Sequence, residues 1–255
     1  MQSWLFLIAV FCLTAQQTAA WCLKTVFASA SEIKSLDFSP DSQYLLSGET
    51  SGKVILWRMD TLEIVKVYNF GAVVWEAVFS KDQKLIGVAG AQNNVHILNG
   101  LTLALISTLN TNHNNIVFDL DFRYDSQCLI TCGNDQNTKI WNTTDWSLIN
   151  TDNNKHICYS VEYADNNWYV VAGQHYYETY DTNFTRNYQL HDNSIMDFLG
   201  LRIRPGGQYL IATNSNGNLY SADMIGNNTI VADAFPNSLY SCGYSRDSSY
   251  FATAG

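Results

Sequence analysis

The sequence is poor in basic residues. Its 255 residues include 14 Lys and Arg against 23 Asp and Glu, a formal net charge of −9 at pH 7. The basic residues are scattered, and no run of them could follow a phosphate backbone, so we expect no nucleic-acid partner. Charged residues make up only 15% of the chain and aromatic residues 13%. This composition is typical of many short strands that each bury one face.

Sequence motifs for catalysis and metal binding are also missing. The chain has no glycine-rich phosphate loop, no nucleophile elbow and no calcium-loop motif. The five histidines follow no metal-ligand spacing, and the pair Cys128 and Cys132 has no second pair that would complete a zinc site. We therefore predict no catalytic residue, no cofactor and no metal.

A unit of about forty residues recurs through the chain. Aligning the units places six residues in one column, at steps of 41, 43, 41, 40 and 41 residues: Phe38, Phe79, Phe122, Tyr163, Ile203 and Tyr244. Each unit has four short strands between turns rich in Asp, Asn, Ser and Gly; in the third they span 115–122, 127–133, 138–142 and 147–152. The pattern predicts an all-β propeller of five full units and half of a sixth.

The third unit resembles a blade of the WD-repeat (tryptophan-aspartate repeat) family, because Trp141 closes its third strand. The resemblance implies a buried hydrogen-bonded relay of four side chains, His113, Thr131, Asp135 and Trp141. We take His113 as structural rather than as a base or metal ligand. The neighbouring Asp119 and Asp121 lie on an alternating strand and are expected to face solvent.

The other units depart from this motif. Unit one keeps Trp57 and Ser47, but Ser51 stands where the Asp is expected. Units two, four and five replace the Trp, so no complete relay is expected in them; the replacing residues are Leu98, Tyr180 and Ser221. The dipeptide that names the family is absent from both Trp-containing units. The resemblance is therefore to a divergent propeller.

The resemblance also concerns how the ring closes. Residues 22–29 have the spacing of an outer strand, which in the family completes the last blade. The sixth unit stops at Gly255 after its second strand. We expect sequence beyond Gly255, or another chain, to complete the ring, and an open propeller is the alternative.

The first twenty residues do not follow the repeat. Trp4 to Ala15 form an apolar stretch too short to span a bilayer, followed by small residues such as Thr18 and Ala20. This pattern predicts a signal peptide over 1–20, cleaved before Trp21, and a propeller over 21–255. A buried N-terminal helix or a different start codon are the alternatives.

Sequons and cysteines leave the compartment open. Three sequons follow third strands, at Asn142, Asn183 and Asn227, about as many as this Asn-rich composition produces by chance. Cys22 and Cys242 both map near the closing blade, where a disulfide is conceivable. The alternative is that the cysteines are small buried apolar residues.

The resemblance implies a non-catalytic scaffold for a protein or peptide partner, predicted to be luminal or extracellular. An intracellular scaffold subunit of a larger assembly and a propeller enzyme are the alternatives, and membrane attachment would need an anchor beyond Gly255. The predicted surface is the face lined by loops that enter each first strand and link strands two and three. Its candidate anchors, for which packing between blades is the alternative, are Tyr68, Phe70, His113, His191 and Phe235.

Overall fold

The computed structural model describes residues 6–11, 23–29, 31–114, 116–164, 168–181, 183–191, 197–223, 230–233, 237–244 and 251–254. Within these ranges every regular element is a β-strand, which confirms the all-β prediction. In chain order the strands are β1 Phe6–Phe11, β2 Leu23–Ser29, β3 Ile33–Phe38, β4 Tyr44–Glu49, β5 Lys53–Arg58, β6 Ile64–Asn69, β7 Val74–Phe79, β8 Leu85–Gly90, β9 Asn94–Asn99, β10 Leu105–Asn110, β11 Val117–Phe122, β12 Cys128–Gly133, β13 Asn137–Asn142, β14 Leu148–Asn153, β15 Cys158–Tyr163, β16 Trp168–Gly173, β17 Tyr176–Asp181, β18 Arg186–His191, β19 Phe198–Ile203, β20 Tyr209–Asn214, β21 Asn218–Asp223, β22 Ile230–Asp233, β23 Ser241–Tyr244 and β24 Phe251–Ala254.

Five four-stranded antiparallel sheets follow one another along the chain, and each is one blade of a propeller. Blade 1 contains β3 to β6, blade 2 β7 to β10, blade 3 β11 to β14, blade 4 β15 to β18 and blade 5 β19 to β22. The first strands of consecutive blades lie side by side around a central channel. The pair β23–β24 begins a sixth unit against β19. The described strands do not close the ring.

The N-terminal strands form a separate pair. Residues 23–29 do form a strand, β2, but its partner in the structure is β1. An apolar strand close in sequence can satisfy the backbone groups along the edge of β2, which an unpaired edge would leave open. Within the N-terminal segment the described residues, Phe6–Phe11, form a strand and not a helix.

The core lies between blades and follows the repeat column. Phe79 and Phe122, from the first strands of blades 2 and 3, are 2% and 0% exposed, whereas Phe38 of blade 1 is 50% exposed. The preceding blade packs against Phe79 and against Phe122, whereas no described blade covers Phe38. Each fully buried aromatic ring of this kind contributes roughly 2–3 kcal/mol to folding.

A β-bulge near the start of each first strand determines which side chains face the channel. The register between first and second strands shifts at the fourth residue before the repeat column, in blade order Lys34, Trp75, Phe118, Tyr159 and Leu199. An extra residue in one strand breaks the alternation of side chains and re-aims the bulged one. In blades 2 to 4, two consecutive side chains of the first strand therefore line the channel, for example Phe118 and Asp119 in blade 3.

Candidate functional site

The four relay residues of blade 3 form a continuous chain of hydrogen bonds. Trp141 Nε1 donates to Thr131 Oγ1 at 3.1 Å, and Thr131 Oγ1 lies 2.9 Å from His113 Nε2. His113 Nδ1 lies 2.6 Å from Asp135 Oδ1. With the proton of His113 on Nδ1, the Thr131 hydroxyl donates to His113 Nε2 and His113 Nδ1 donates to Asp135. Each donor in the chain of hydrogen bonds then has an acceptor.

Burial determines the charge states in this relay. His113 is fully buried, and burial lowers its pKa despite the adjacent carboxylate. The pKa of Asp135 is also lowered, because hydrogen bonds from His113 and Asn137 outweigh the effect of burial. The ammonium of Lys139 lies 3.4 Å from Asp135 Oδ2 and balances its charge. A neutral histidine enclosed in this way has no open side for a substrate, so the relay holds the blade together.

The other blades show reduced versions of the relay. In blade 1, Trp57 Nε1 donates to Ser47 Oγ at 2.9 Å. In blade 4, Tyr180 occupies the position of the Trp. Its ring stacks on that of Tyr169 with centroids 4.8 Å apart, and its hydroxyl donates a hydrogen bond to Glu178. Tyrosine stacking thus replaces the relay in that blade.

The expectation that Asp119 and Asp121 face solvent is wrong, since each is only 6% exposed. Asp119 Oδ2 accepts hydrogen bonds from Ser160 Oγ and from the backbone N–H of Val161, both at 2.9 Å. Asp121 Oδ2 accepts the backbone N–H of Tyr163 at 2.9 Å. Both carboxylates belong to blade 3 and both bind blade 4. They line the central channel, where the next blade shields them from water.

These carboxylates belong to an acidic channel wall. Five carboxylates and two cations line a cavity of about 90 Å³: Asp37, Glu76, Asp119, Asp121, Glu162, Lys81 and Arg202. Lys81 Nζ lies 3.0 Å from Asp121 Oδ1. Burial opposes the charge of Arg202, but the surrounding carboxylates more than compensate and raise its pKa. The wall carries more negative than positive groups.

Desolvation changes the acidity of several of these carboxyls. Burial raises the pKa of Asp37 and of Asp119 to about 6, and that of Glu162 to about 7. Burial, together with repulsion from Asp119, raises the pKa of Glu76 well above its ordinary value. Arg202 partly offsets the shift in all four. Protons therefore occupy part of this wall near neutral pH.

Above the acidic wall the channel opens into a cavity of about 280 Å³. Its rim is formed by the bulged residue of each first strand and by Tyr240 at the equivalent position: Lys34, Trp75, Phe118, Tyr159, Leu199 and Tyr240. Phe118 contacts Trp75 and Tyr159 through tilted and edge-to-face rings, with centroids 6.1 and 5.3 Å apart. We call these six residues, four of which are aromatic, the aromatic rim. Glu76, Asp119 and Arg202 line both cavities and connect them.

The rim lies on the predicted face, but the predicted anchors are not the residues that form it. Phe70 is buried in the core, and His113 is enclosed in the relay. Tyr68 is half-buried, with its hydroxyl 2.7 Å from His96 Nδ1. The interface role predicted for Phe70 and His113 is therefore wrong, because blade packing covers both. The side chain of His191 and all of Phe235 lie outside the described residues.

The sequons and cysteines are placed as follows. Asn142 ends β13 and accepts the backbone N–H of Thr144, and Asn183 is exposed in the turn between β17 and β18. Cys242 is buried near the carbonyl oxygen of Ile211. Asn227 and Cys22, the predicted partner of Cys242, lie outside the described residues.

The described part of the chain has neither a membrane-spanning helix nor a cluster of metal ligands. No helix there has the length and apolar character needed to cross a membrane. No group of three or more His, Cys, Asp or Glu side chains in the same ranges is arranged to hold a metal ion.

Comparison of sequences identifies the repeat. Residues 20–58 and 104–142, which end in blades 1 and 3, match the WD40 family, described as WD domain, G-beta repeat. Topless-related protein 4 of Arabidopsis thaliana is 29% identical over 152 residues, 49% of this chain and 13% of that protein. Protein HIR1 of Cryptococcus neoformans var. neoformans serotype D is 24% identical over 146 residues, 51% of this chain and 16% of that protein. The chain thus spans 16% or less of the length of these relatives.

Comparison of structures gives the same fold. A chain from a crystal structure of the mitotic checkpoint complex superposes with a TM-score of 0.80 at 17% identity, covering 90% of this chain and 75% of that one. The crystal structure of the RRP9 WD40 repeats superposes with a TM-score of 0.76 at 14% identity, covering 83% and 70%. At these identities the similarity concerns the fold alone.

Proposed function

This chain belongs to the WD-repeat β-propeller family, and on that premise we propose that it is a non-catalytic scaffold that binds a protein or peptide partner at the aromatic rim. The observation that carries the proposal is the exposure of aromatic side chains around the channel mouth. Tyr240 is 64% exposed, and Trp75 and Tyr159, which line the same cavity, are half-buried. Trp and Tyr are the residues most enriched among the energetically dominant contacts of protein interfaces.

The size of the mouth supports a side chain as the guest. A cavity of about 280 Å³ is at the small end of the range of about 300–1,000 Å³ that is usual for ligand pockets, and it has room for one or two side chains. A protein partner needs only to insert one or two side chains there while its surface covers the surrounding loops. The rim and the loops that enter each first strand would form the docking face.

The channel carboxylates support a non-catalytic role. Asp37, Asp119, Asp121 and Glu162 each accept a backbone N–H of the next blade. A general acid or base must be within reach of a substrate proton, whereas these oxygens already hold structural donors. Their arrangement is the one expected of groups that join blades.

The finer part of the proposal concerns the compartment. The apolar N-terminal segment and the sequons support a scaffold that is luminal or extracellular, and an intracellular scaffold subunit is the alternative. Peptide mapping of the protein from its native source decides between them. A mature start at Trp21 and a sugar on Asn142 or Asn183 would support the luminal proposal, and an intact Met1 would overturn it.

The docking face is tested with a matched pair of exposed tyrosines. Tyr124 is 65% exposed, nearly the same as Tyr240, but lies in the turn between β11 and β12, at the opposite end of the first strands. We expect Tyr240→Ala to lose a set of proteins that co-purify with the wild-type chain from its native source, and Tyr124→Ala to retain it. Identical sets for all three proteins, quantified by mass spectrometry, would overturn the proposed docking face.

A further inference from the structure

We propose that the channel mouth recognises a basic side chain, a lysine or an arginine, that a partner segment inserts through the aromatic rim toward the carboxylates below. The inference rests on the proposed function, because it names the chemistry of the guest at that same surface. It follows from the way the two cavities are connected and from the charges on their walls.

Glu76 and Asp119 lie where the two cavities meet. Both side chains line the mouth cavity and the deeper acidic cavity. Arg202 lines both cavities as well, so a group that enters past the rim meets these two carboxylates together with the guanidinium of Arg202. Asp119 is fixed by Ser160 and Val161, whereas Glu76 is half-buried at the junction of the two cavities.

The deeper cavity is lined by more carboxyl groups than cationic groups. Asp37, Glu76, Asp119, Asp121 and Glu162 face Lys81 and Arg202 across the deeper cavity. With Lys34 at the mouth, five carboxyls face three cations over the two cavities. The negative excess grows as Glu76 and Glu162, whose pKa values are raised, ionise toward higher pH, and it favours a positively charged guest over an acidic one. A cleft with low-dielectric walls strengthens this preference, because field lines concentrate in it.

The aromatic rim attracts cations. The ammonium of Lys34 already lies over the ring of Trp75, 5.3 Å from its centroid, and is paired with Glu32 at 2.6 Å. The ring faces of the rim are therefore suited to a cation. Lysine and arginine also carry an apolar stem that can lie along aromatic surface while the charged head reaches the carboxylates.

A basic side chain fits better than a bare metal ion. The described residues contain no group of three or more ligating side chains with the geometry for a metal. Asp37, Asp119, Asp121 and Glu162 are also occupied by backbone N–H donors of the next blade, which fixes their positions. A guest with its own stem can reach Glu76 without displacing those bonds.

Proton release accompanies this recognition. The titratable and charged groups that line the two cavities are Lys34, Asp37, Glu76, Lys81, Asp119, Asp121, Tyr159, Glu162, Arg202, Tyr240 and Cys242. Burial raises the pKa of Glu76 and of Asp119, so both bind protons more readily than exposed carboxyls. An entering cation favours their ionised forms, and binding becomes tighter as pH rises from 5.5 to 7.5.

The test uses a random 12-residue peptide library displayed on phage and selected against the full chain. Selected peptides are synthesised in two forms, one as selected and one with each Arg replaced by citrulline and each Lys by norleucine. We expect the neutral form to bind about tenfold or more weakly, which corresponds to about 1.4 kcal/mol. Fluorescence anisotropy at pH 5.5 and 7.5 gives the dissociation constants.

The variant that tests the acidic wall is Glu76→Gln. Glutamine is close in shape to a protonated glutamate, so the fold should persist, and a thermal melt checks that it does. We expect Glu76→Gln to weaken the basic peptide about fivefold or more and to leave the neutral peptide within about twofold. Glu63→Gln, at an exposed position before β6, is the matched control, because general attraction to an acidic protein would affect both variants equally.

The outcomes separate this inference from the proposed function. Selected peptides without an enriched Lys or Arg, whose binding is still abolished by Tyr240→Ala, would overturn the basic guest and leave the docking face intact. Equal effects of Glu76→Gln and Glu63→Gln would also overturn the basic guest. If no peptide is enriched, or if binding ignores Tyr240→Ala, the docking face fails and the inference fails with it.

Discussion

Asp121 of blade 3 accepts the backbone N–H of Tyr163 of blade 4 at 2.9 Å. The residue directly before the repeat column accepts the same kind of bond in blades 1 and 4. Asp37 accepts the backbone N–H of Phe79 at 2.8 Å, and Glu162 accepts that of Ile203 at 2.9 Å. We call this contact the carboxylate clasp. Each clasp adds a directional bond to the apolar contact between neighbouring blades, so it fixes their relative height as well as their separation.

Blade 2 lacks the clasp, because Val78 occupies the position of the carboxylate. Instead, Lys81 of blade 2 reaches Asp121 of blade 3 at 3.0 Å. Asp121 is therefore bonded to the blades on both sides. Among the described blades it is the residue whose loss should weaken the most contacts between them.

We expect Asp121→Ala to lower the free energy of unfolding by about 2–4 kcal/mol, because it leaves a buried N–H and an ammonium without their acceptor. Asp125→Ala, at an exposed turn position, should cost less than about 1 kcal/mol. Urea denaturation followed by circular dichroism measures both. Equal losses for the two variants would show that the clasp contributes nothing beyond a surface carboxylate.

The relay gives a second stability prediction. His113→Ala should cost about 2–4 kcal/mol, because it opens a cavity, leaves the Thr131 hydroxyl without its acceptor and removes one donor from Asp135. Ser47→Ala removes one acceptor from Trp57 in blade 1 and should cost about 1 kcal/mol. A double-mutant cycle between His113→Ala and Asp135→Ala measures their coupling, and a coupling near zero would contradict the relay.

A third prediction concerns pH and Glu162. Burial raises its pKa in the folded protein to about 7, above that of the unfolded chain, so the folded state holds the proton over a pH range in which the unfolded state has released it. Its contribution to stability is complete below the unfolded pKa, at about pH 4, and is lost as pH rises through about 7. Glu162→Gln resembles the protonated form and removes this dependence.

We therefore expect the stability of Glu162→Gln, relative to wild type, to be more favourable at pH 8 than at pH 5.5. The comparison cancels histidine titration, which both proteins share. Denaturation curves at the two pH values measure the difference. A difference that is independent of pH, or that favours wild type at pH 8, would contradict the raised pKa.

The buried thiols give a fourth prediction. Burial raises the pKa of Cys128 and Cys132, and that of Cys242 to about 12. The thiolate is the reactive form of cysteine. Peptides containing these residues should therefore label slowly with iodoacetamide in the folded protein at pH 8, and completely once the protein is unfolded in about 6 M guanidinium chloride.

Mass spectrometry of the labelled peptides also tests the predicted disulfide. An engineered Tyr124→Cys is the exposed control and should label rapidly in the native protein. If the Cys242 peptide stays unlabelled in denaturant and is recovered joined to Cys22, the disulfide exists. Full labelling of Cys242 in denaturant without a reducing agent would show that it is a free thiol.

Much of the fold was predictable because it is repetitive. The strands predicted for the third unit agree with β11 to β14 within two residues at each end, since alternation and turn residues are local signals. The relay residues were found because their spacing resembles a known blade. The structure brings the four side chains together, as their hydrogen bonds show.

The channel-facing residues were missed for a physical reason. Alternation places Asp119 and Asp121 on one side of β11 but does not say that the next blade covers that side. The bulge at Phe118 then turns one more side chain toward the channel. The aligned repeats do contain a signal for the rim, four positions before the repeat column, where Trp75, Phe118, Tyr159 and Tyr240 recur.

The sequence by itself determined the period, the four-stranded unit and the pairing of polar side chains within blade 3, because each depends on residues close along the chain. Only the tertiary structure decided which carboxylates are buried, which aromatic residues form the rim and which thiols are shielded. These properties depend on side chains about forty residues away in the neighbouring blade. Burial and charge at the channel arise where blades meet, and no single repeat contains that contact.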